Sequence, residues 1–387
     1  MKILHSADWH LGRTINGFSL IELQKDMVNQ IIDIIKSENI DTVVLAGDIY
    51  DRAIPGVEAT QILDFFLTEV ALNLKKQIIM VSGNHDSYER LGFGNELFRK
   101  VGIHYAKTAL QPIEKIIIED NNGPINFYLW PYQSSFFLKE KYPDQKFASY
   151  NDAFKYLLGL NLINYDERNC FVGHSYYTYG MQKDLVESDS ERQLSVGGAD
   201  FLDVKLLKGF DIAMFGHLHG PQKVGPELFR YAGSPLKYSF SEVNHQKSVV
   251  IYDFIEKGKI TYKIVPIKPL YDMKTVKGYL KDIVNNGVEG VGQYDLIQLI
   301  LIDEERVYEP MASVRTRYPN VLELRYEEKK EDLEFNLGDP QSESKDIIEL
   351  FSEFYEKINN RSINDEELNI IKDVYQKVLE GENHENN

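Results

Sequence analysis

Along the first 265 residues one arrangement recurs five times: a short, mostly apolar run breaks off in a loop carrying Gly, Asp, Asn or His. Ile3-Leu4-His5-Ser6-Ala7 leads into Asp8-Trp9-His10, and Val43-Val44-Leu45-Ala46 leads into Gly47-Asp48-Ile49-Tyr50-Asp51. Ile78-Ile79-Met80-Val81 leads into Ser82-Gly83-Asn84-His85-Asp86, Cys170-Phe171-Val172 into Gly173-His174, and Ile212-Ala213-Met214-Phe215 into Gly216-His217-Leu218-His219. Runs that are apolar at consecutive rather than alternate positions predict strands buried on both faces. Between them, Leu23 to Ile35 and Ala59 to Leu74 set apolar residues three and four apart, which predicts helices. Strands alternating with helices predict an α/β domain, and such sheets bind ligands in the loops at the carboxyl ends of their strands. The five loops are therefore expected to converge.

Beyond Pro266 the pattern restarts on a smaller scale. Gly278 to Val284 predicts a short helix, Asp295 to Ile302 a strand, Pro310 to Arg317 a helix and Val321 to Tyr326 a strand. Residues 266–326 thus read as a compact α/β module near the lower size limit for an independent core. The charged stretch 327–342, with Gly338 and Pro340 and little periodicity, reads as a linker. Two amphipathic helices are expected within 343–381. In the first, Ile347, Phe351, Phe354 and Ile358 recur at three- and four-residue steps. In the second, Leu368, Ile371, Val374 and Val378 do the same, after Asn364 and Glu367 at the spacing of an N-cap and its N3 partner.

Composition narrows the function classes. The 387 residues are 43% hydrophobic and 27% charged, which supports a sizeable packed core. No apolar run approaches the ~20 residues of a membrane span, and Asp8 falls where a secretion signal needs its apolar centre. A cytoplasmic protein without membrane contact is the expectation. The one cysteine, Cys170, excludes an internal disulfide and a multi-cysteine zinc site. A net charge of −17 speaks against nucleic-acid binding until its distribution is considered. Residues 327–387 hold 18 acidic and 7 basic side chains, whereas the other 326 residues hold 42 and 36. The acidity belongs to the tail, and several acids of the body lie in loops where bound cations would offset them. No Gly-x-x-x-x-Gly-Lys-Ser/Thr loop occurs, so this chain alone is not expected to bind a nucleotide.

The loops together offer Asp8, His10, Asp48, Asn84, His85, His174, His217 and His219. Carboxylate, imidazole and carboxamide donors in one place are ligand chemistry for two divalent ions. A mixed N/O set suits manganese, iron or zinc better than magnesium or calcium. Asp-x-His and His-x-His put alternate side chains on one side of an extended segment, so each pair can reach a common centre. A single Gly-His or Asn-His-Asp is ordinary turn chemistry. Five such loops in order, each after a buried strand, are not.

Asp8-x-His10, Gly47-Asp48-x-x-Asp51, Gly83-Asn84-His85-Asp86, Gly173-His174 and Gly216-His217-x-His219 resemble the five motifs of the calcineurin-like metallophosphoesterases. Ser6 to Arg13, Gly47 to Pro55, Ser188 to Arg192 with Val196-Gly197-Gly198, and Gly233 to Glu242 resemble, more narrowly, the SbcD family of bacterial nuclease subunits. The resemblance implies a two-sheet metallophosphoesterase sandwich flanked by helices over 1–265, a small α/β capping domain over 266–326 and a C-terminal helical pair. It implies that Asp8, His10, Asp48 and His219 hold one metal ion and Asp48, Asn84, His174 and His217 the other, with Asp48 bridging and manganese the expected ion. His85 would donate to the phosphate or to the departing 3′ oxygen, with Asp86 orienting its ring.

The implied activity is a metal-dependent DNA nuclease, 3′→5′ on duplex ends and endonucleolytic on single strands and hairpins, serving DNA end processing and repair. The implied partners are DNA, a second copy of the chain and a coiled-coil ATPase of the SbcC type bound through 343–381, which places the protein at the nucleoid. A phosphodiesterase of another substrate class, or a non-catalytic scaffold on the same fold, is the alternative. Arg13, Arg52 and Lys237 flank the motifs and are candidates for DNA phosphates. Tyr176, Tyr177 and Tyr179 are candidates for base stacking, with packing as their more common fate. Ser188 to Gly198 is too polar for a core and reads as a nucleic-acid or partner loop.

Overall fold

Each of the five apolar runs forms a strand whose side chains alternate between two buried layers. In Thr42–Ala46, Val43 and Leu45 pack toward helices, while Val44 and Ala46 pack toward a second sheet. In Ile212–Gly216, Ile212 and Met214 enter that same inter-sheet layer, and Ala213 and Phe215 face the other way. Both parities are apolar because both faces are covered. The computed structural model describes residues 1–106, 113–180, 185–191, 201–327, 347–359 and 361–382.

Two six-stranded sheets result. The first runs, in spatial order, Lys259–Pro266, Ser248–Glu256, Lys2–Ser6, Thr42–Ala46, Gln77–Val81 and Ile103–Ala106, with the last four parallel. The second runs Gln222–Lys223, Phe229–Tyr231, Ile212–Gly216, Arg168–His174, Gly123–Trp130 and Glu114–Asp120, with its middle four parallel. Val44, Ile79, Phe127, Val172, Met214 and Tyr252 fill the space between the sheets. The helices Ile21–Ser37 and Val57–Leu67 cover the outer face of the first sheet, and Tyr150–Gly159 packs on that of the second. This is the expected helix-flanked sandwich.

Three local differences have physical causes. The helix expected over 59–74 is an α-helix, Val57–Leu67, followed by a π-helical turn, Thr68–Asn73; apolar spacing alone does not separate the two. The hairpins Glu114–Asp120 with Gly123–Trp130 and Ser248–Glu256 with Lys259–Pro266 supply a sheet edge each. Neither ends in one of the five loops, so the recurring pattern does not reveal them. In the smaller module a strand, Met273–Gly278, precedes the helix Leu280–Asn286, which starts two residues later than expected.

That module is a three-stranded parallel sheet, Met273–Gly278, Leu296–Leu301 and Val321–Tyr326, with helices Leu280–Asn286 and Pro310–Arg315. Its own core includes Val276, Leu280, Ile283, Leu299, Val314 and Tyr318. Residues 1–327 form one compact unit that contains both the sandwich and this module; residues 328–387 form a second. The second unit holds the helices Ile347–Asn359 and Asp365–Glu382. Past Glu327, the expected linker lies outside the described residues. Among the described residues no helix is long and apolar enough to cross a membrane.

Candidate metal centre

The five strand ends meet at one place, where glycines let neighbouring segments come close. A Cβ on Gly216 would fall on the Ala46 carbonyl oxygen, and one on Gly83 would fall on the Asp48 carboxylate and backbone nitrogen. Only glycine permits that approach. Four residues of the centre take left-handed backbone conformations: Asp8 (φ 55°), His10 (φ 43°), Asp48 (φ 48°) and His217 (φ 113°). Such conformations cost on the order of 1–3 kcal/mol each and persist where the surroundings over-determine them. Here the surroundings are cross-loop hydrogen bonds: Asp8 N donates to Gly47 O at 3.0 Å, His10 N to Asp48 O at 3.0 Å, and His217 N to Asp8 Oδ1 at 2.9 Å.

The side chains so placed are almost wholly buried, Asn84 being half-buried. His10 Nε2 and His219 Nε2 lie 3.1 Å apart, and the ligand atoms of Asp8, His10 and His219 lie within 4.8 Å of one another. On the other side, Asn84 Oδ1 is 3.0 Å from His174 Nε2 and 3.3 Å from His217 Nδ1. Asp48 Oδ2 faces both groups, 3.7 Å from His10 Nε2 and 3.5 Å from His174 Nε2. The expected metal-ligating residues are therefore brought together around Asp48, and the ligand atoms of Asp8, Asp48 and His174 also lie within 4.8 Å of one another.

The electrostatics fit cations. Burial, with the Asp48 charge beside it, pushes Asp8 well above the usual carboxylate range. Burial acts on Asp48 in the same direction, but the His174, His10 and His85 imidazoles outweigh it and hold Asp48 low. Burial would lower His174, yet Asp48 and Asp8 overcome it and raise that imidazole to about 9. Burial lowers His217 to about 3 and holds His10 and His219 below their ordinary value, which keeps them in the neutral form that ligates metals. His174 Nδ1–H donates to the Ala46 carbonyl at 2.8 Å, which aims Nε2 at Asn84 and Asp48, where a cation would take the place of the Nε2 proton that the two carboxylates favour. Imidazole, carboxamide and carboxylate donors gathered in one buried space are a donor set that divalent ions satisfy.

His85 stands beside the clusters, its ring 4.8 Å from that of His10 in an edge-on arrangement. The expected contact between Asp86 and this ring is replaced by another. The Asp86 carboxylate accepts backbone N–H groups of Ile49, Tyr50 and Gly83 at 3.1, 2.9 and 2.9 Å, so it ties two loops together. The His85 ring is held instead by the Asp51 backbone carbonyl, 2.8 Å from Nδ1. Three acceptor-hungry loop amides within reach draw the carboxylate away from the imidazole.

The basic candidates divide. Arg13 is mostly buried, pairs with Asp51 Oδ1 at 2.9 Å and lies over the Tyr238 ring. Lys237 donates to Asp272 Oδ1 and to the Val243 carbonyl, each at 2.8 Å, and so is engaged at the smaller module. The Arg52 side chain is 73% exposed, with Asp51 Oδ2 at 3.6 Å. Tyr177 is buried and stacks on Phe215, whereas Tyr176 bonds Glu187 and Tyr179 is exposed beside Lys205.

Sequence reasoning missed a further layer. Ser188, Ser190 and Glu191 fold onto the centre rather than outward: Ser190 Oγ is 2.7 Å from His219 Nδ1, and Glu191 Oε1 accepts from His219 N at 2.6 Å. Residues 192–200 of that loop lie outside the described residues. Glu242, Lys247 and Tyr238 also meet His219 or His10. Ser188 to Arg192 and Gly233 to Glu242 carried a family resemblance and the first also a density of polar residues, and neither signal tells which way a loop folds.

In the second unit, Glu367 N donates to Asn364 Oδ1 at 2.9 Å and Asn364 N to Glu367 Oε2 at 3.1 Å, the expected cap. Ile347, Phe351, Phe354 and Val374 are exposed, Leu368 and Ile371 half-buried. The side chains of Ile358 and Val378 lie outside those described.

Residues 1–221 match the family described as calcineurin-like phosphoesterase, and residues 269–359 the one described as type 5 capsule protein repressor C-terminal domain. The chain is 34% identical over 326 residues to the SbcD subunit of the nuclease SbcCD from Staphylococcus saprophyticus, covering 84% of each chain. It is 30% identical over 384 residues to the SbcD subunit of the same nuclease from Staphylococcus epidermidis, covering 99% of this chain and 100% of that one. Among solved structures it is similar to GAP50 of Plasmodium, with a TM-score of 0.41 and 13% identity over 84% of this chain and 96% of that one.

Proposed function

The chain belongs to the calcineurin-like phosphoesterases and, within them, to the SbcD family of SbcCD nuclease subunits; from that premise we propose that it is a metal-dependent nuclease that cleaves DNA phosphodiester bonds at the centre described above and acts with an SbcC-type ATPase. The observation that carries this reading is the convergence of six donor residues around Asp48, with His85 alongside. When bound, two divalent cations neutralise a phosphodiester and make an attacking water more acidic. Asp8, His10, Asp48 and His219 would hold one ion; Asp48, Asn84, His174 and His217 would hold the other. The mixed N/O donors favour manganese. His85 keeps its Nδ1–H on the Asp51 carbonyl, so in the imidazolium form Nε2–H is the proton offered to the phosphate or the departing 3′ oxygen.

The finer activity is 3′→5′ exonuclease action on duplex ends and endonuclease action on single strands and hairpins. Arg52 is the most accessible of the three basic candidates for a DNA phosphate; Arg13 and Lys237 act from their ion pairs with Asp51 and Asp272. Residues 266–326 cap the nuclease domain, and the helices within 343–381 bind the ATPase. The protein works as a homodimer, a reading favoured by Phe93 and Leu97, which are 84% and 69% exposed just after the Asn84-His85-Asp86 loop. Its expected place is the cytoplasm, at the nucleoid. Purified protein with manganese, assayed on end-labelled duplex DNA, on a hairpin and on a nitrophenyl phosphodiester, tests the reading. Cleavage of DNA supports it; turnover of the small diester alone points to another substrate class, and inactivity on all three to a scaffold.

A further inference from the structure

His219 is gripped from every side but one. Its backbone N–H donates to Glu191 Oε1 at 2.6 Å. Its carbonyl accepts from Lys247 Nζ at 2.9 Å and from Ser234 N at 3.2 Å. Its Nδ1 lies 2.7 Å from Ser190 Oγ and 3.1 Å from Glu242 Oε1. Ser190 and Ser188 hydroxyls both donate to that same Glu242 oxygen, so Ser190 Oγ as well as Glu242 Oε1 faces Nδ1 as an acceptor, and Nδ1 carries the ring proton. The other oxygen, Oε2, accepts from Lys247 Nζ at 2.6 Å and from Tyr238 N at 3.3 Å. Nε2 is the polar atom that remains, and it faces His10 Nε2 at 3.1 Å.

We propose that Glu242 is the positioning residue of the metal centre: by drawing the Nδ1 proton of His219 toward itself, directly and through the Ser190 hydroxyl that it orients, it fixes the tautomer and direction of that ring, so that Nε2 presents its lone pair to one of the two cations. The inference rests on the two-cation reading above. Glu242 is fully buried and Lys247 nearly so. A buried ion pair is weak as a source of stability, since apolar residues of similar volume commonly do as well. What an apolar pair does not supply is an anionic acceptor on Nδ1, which raises ligand basicity and locks the ring. The contrast with His174 is informative: that ring is held by a neutral carbonyl, Ala46 O. Lys247 completes the device by compensating the Glu242 charge while holding the His219 carbonyl. Tyr238, whose ring lies 5.3 Å from that of His10 and 5.7 Å from that of His219, closes the remaining space.

The test is manganese binding to the metal-stripped full-length chain, with free manganese followed by electron paramagnetic resonance. Wild-type protein should bind two ions. Glu242→Gln should still bind two, one of them about 10- to 100-fold more weakly. Glu242→Leu with Lys247→Met removes both buried charges together and guards against a folding defect from an orphaned lysine. That double variant should keep the circular dichroism of the wild type and show at least the same loss at one ion. Two wild-type affinities in either folded variant would overturn the inference, and so would equal weakening at both ions, which marks general loosening. Failure of the wild type itself to bind two ions would instead bring down the two-cation reading, and this inference with it.

Discussion

His174, at the end of a strand of the second sheet, turns Nε2 to within 3.5 Å of Asp48 Oδ2, which follows a strand of the first. The ligands proposed for a shared cation thus come from both halves of the sandwich. Binding across that seam links metal affinity to stability.

Metal removal is therefore expected to lower the melting temperature, and manganese to restore it. A ligand that binds only the folded state at 100 times its Kd adds about 2.7 kcal/mol per site. Thermal unfolding in chelator, then with graded manganese, measures this. A melting temperature indifferent to manganese would mean that the centre does not clamp the two sheets.

The division of labour at the centre is also measurable. His85→Ala should abolish DNA cleavage and keep both ions, because His85 is assigned to the substrate. Asp48→Ala should lose metal as well, because its carboxylate faces both clusters. Elemental analysis of both variants decides; a metal-free His85→Ala protein would place His85 among the ligands.

Much of this centre was legible because each donor follows a strand whose apolar run announces it. Asp8, Asp48, Asn84, His174 and His217 are brought together by the parallel order of the strands, and a sequence with α/β alternation already implies that order. Their supports were not legible. Asp86 faces loop amides rather than His85, a choice set by backbone geometry at Gly83 and Asp48 and by no side-chain spacing. Glu242 reaches His219 across 23 residues that include the strands Gln222–Lys223 and Phe229–Tyr231 and end in a 3-10 turn, so no single period connects the two. The small module was legible in outline, but its first strand, Met273–Gly278, mixes Lys, Thr and Gly with two buried apolar residues and carries a weak signal.

His5 predicts a pH dependence of stability away from the metal ligands. It is fully buried. Burial lowers it to about 3, outweighing a backbone contact at Phe215 that raises it and helped by the nearby Arg230 charge. Its folded-state pKa lies below the ~6.5 of an exposed histidine, so the unfolded chain takes up a proton that the folded chain refuses. The stability is complete above pH ~6.5 and falls toward the folded value by up to about 1.4 kcal/mol per pH unit. Denaturant unfolding of wild type and His5→Leu in chelator, at pH 7 and pH 5, isolates the effect. The wild type should lose more on acidification; an equal loss would mean that His5 takes up its proton in the folded state.

The last prediction concerns the second unit. Phe351 and Phe354 stay exposed in a helix whose neighbour, Asp365–Glu382, leaves Val374 exposed as well. Exposed aromatic side chains on an amphipathic helix are the anchors that a helix-in-groove partner buries. The acidic surround, 18 acids against 7 bases over 327–387, favours a partner groove with a basic rim and a fast, salt-sensitive encounter. Phe351→Glu with Phe354→Glu should abolish co-purification with the SbcC-type ATPase. Each aromatic anchor contributes about 2 kcal/mol or more at such an interface, so losing two should weaken binding by about a thousandfold. Manganese-dependent cleavage of a nitrophenyl phosphodiester by the isolated variant should stay near the wild-type rate, because the nuclease residues all lie within 1–327, a separate compact unit. Retained association would show that the ATPase binds elsewhere; loss of both association and activity would show that the second unit supports the first.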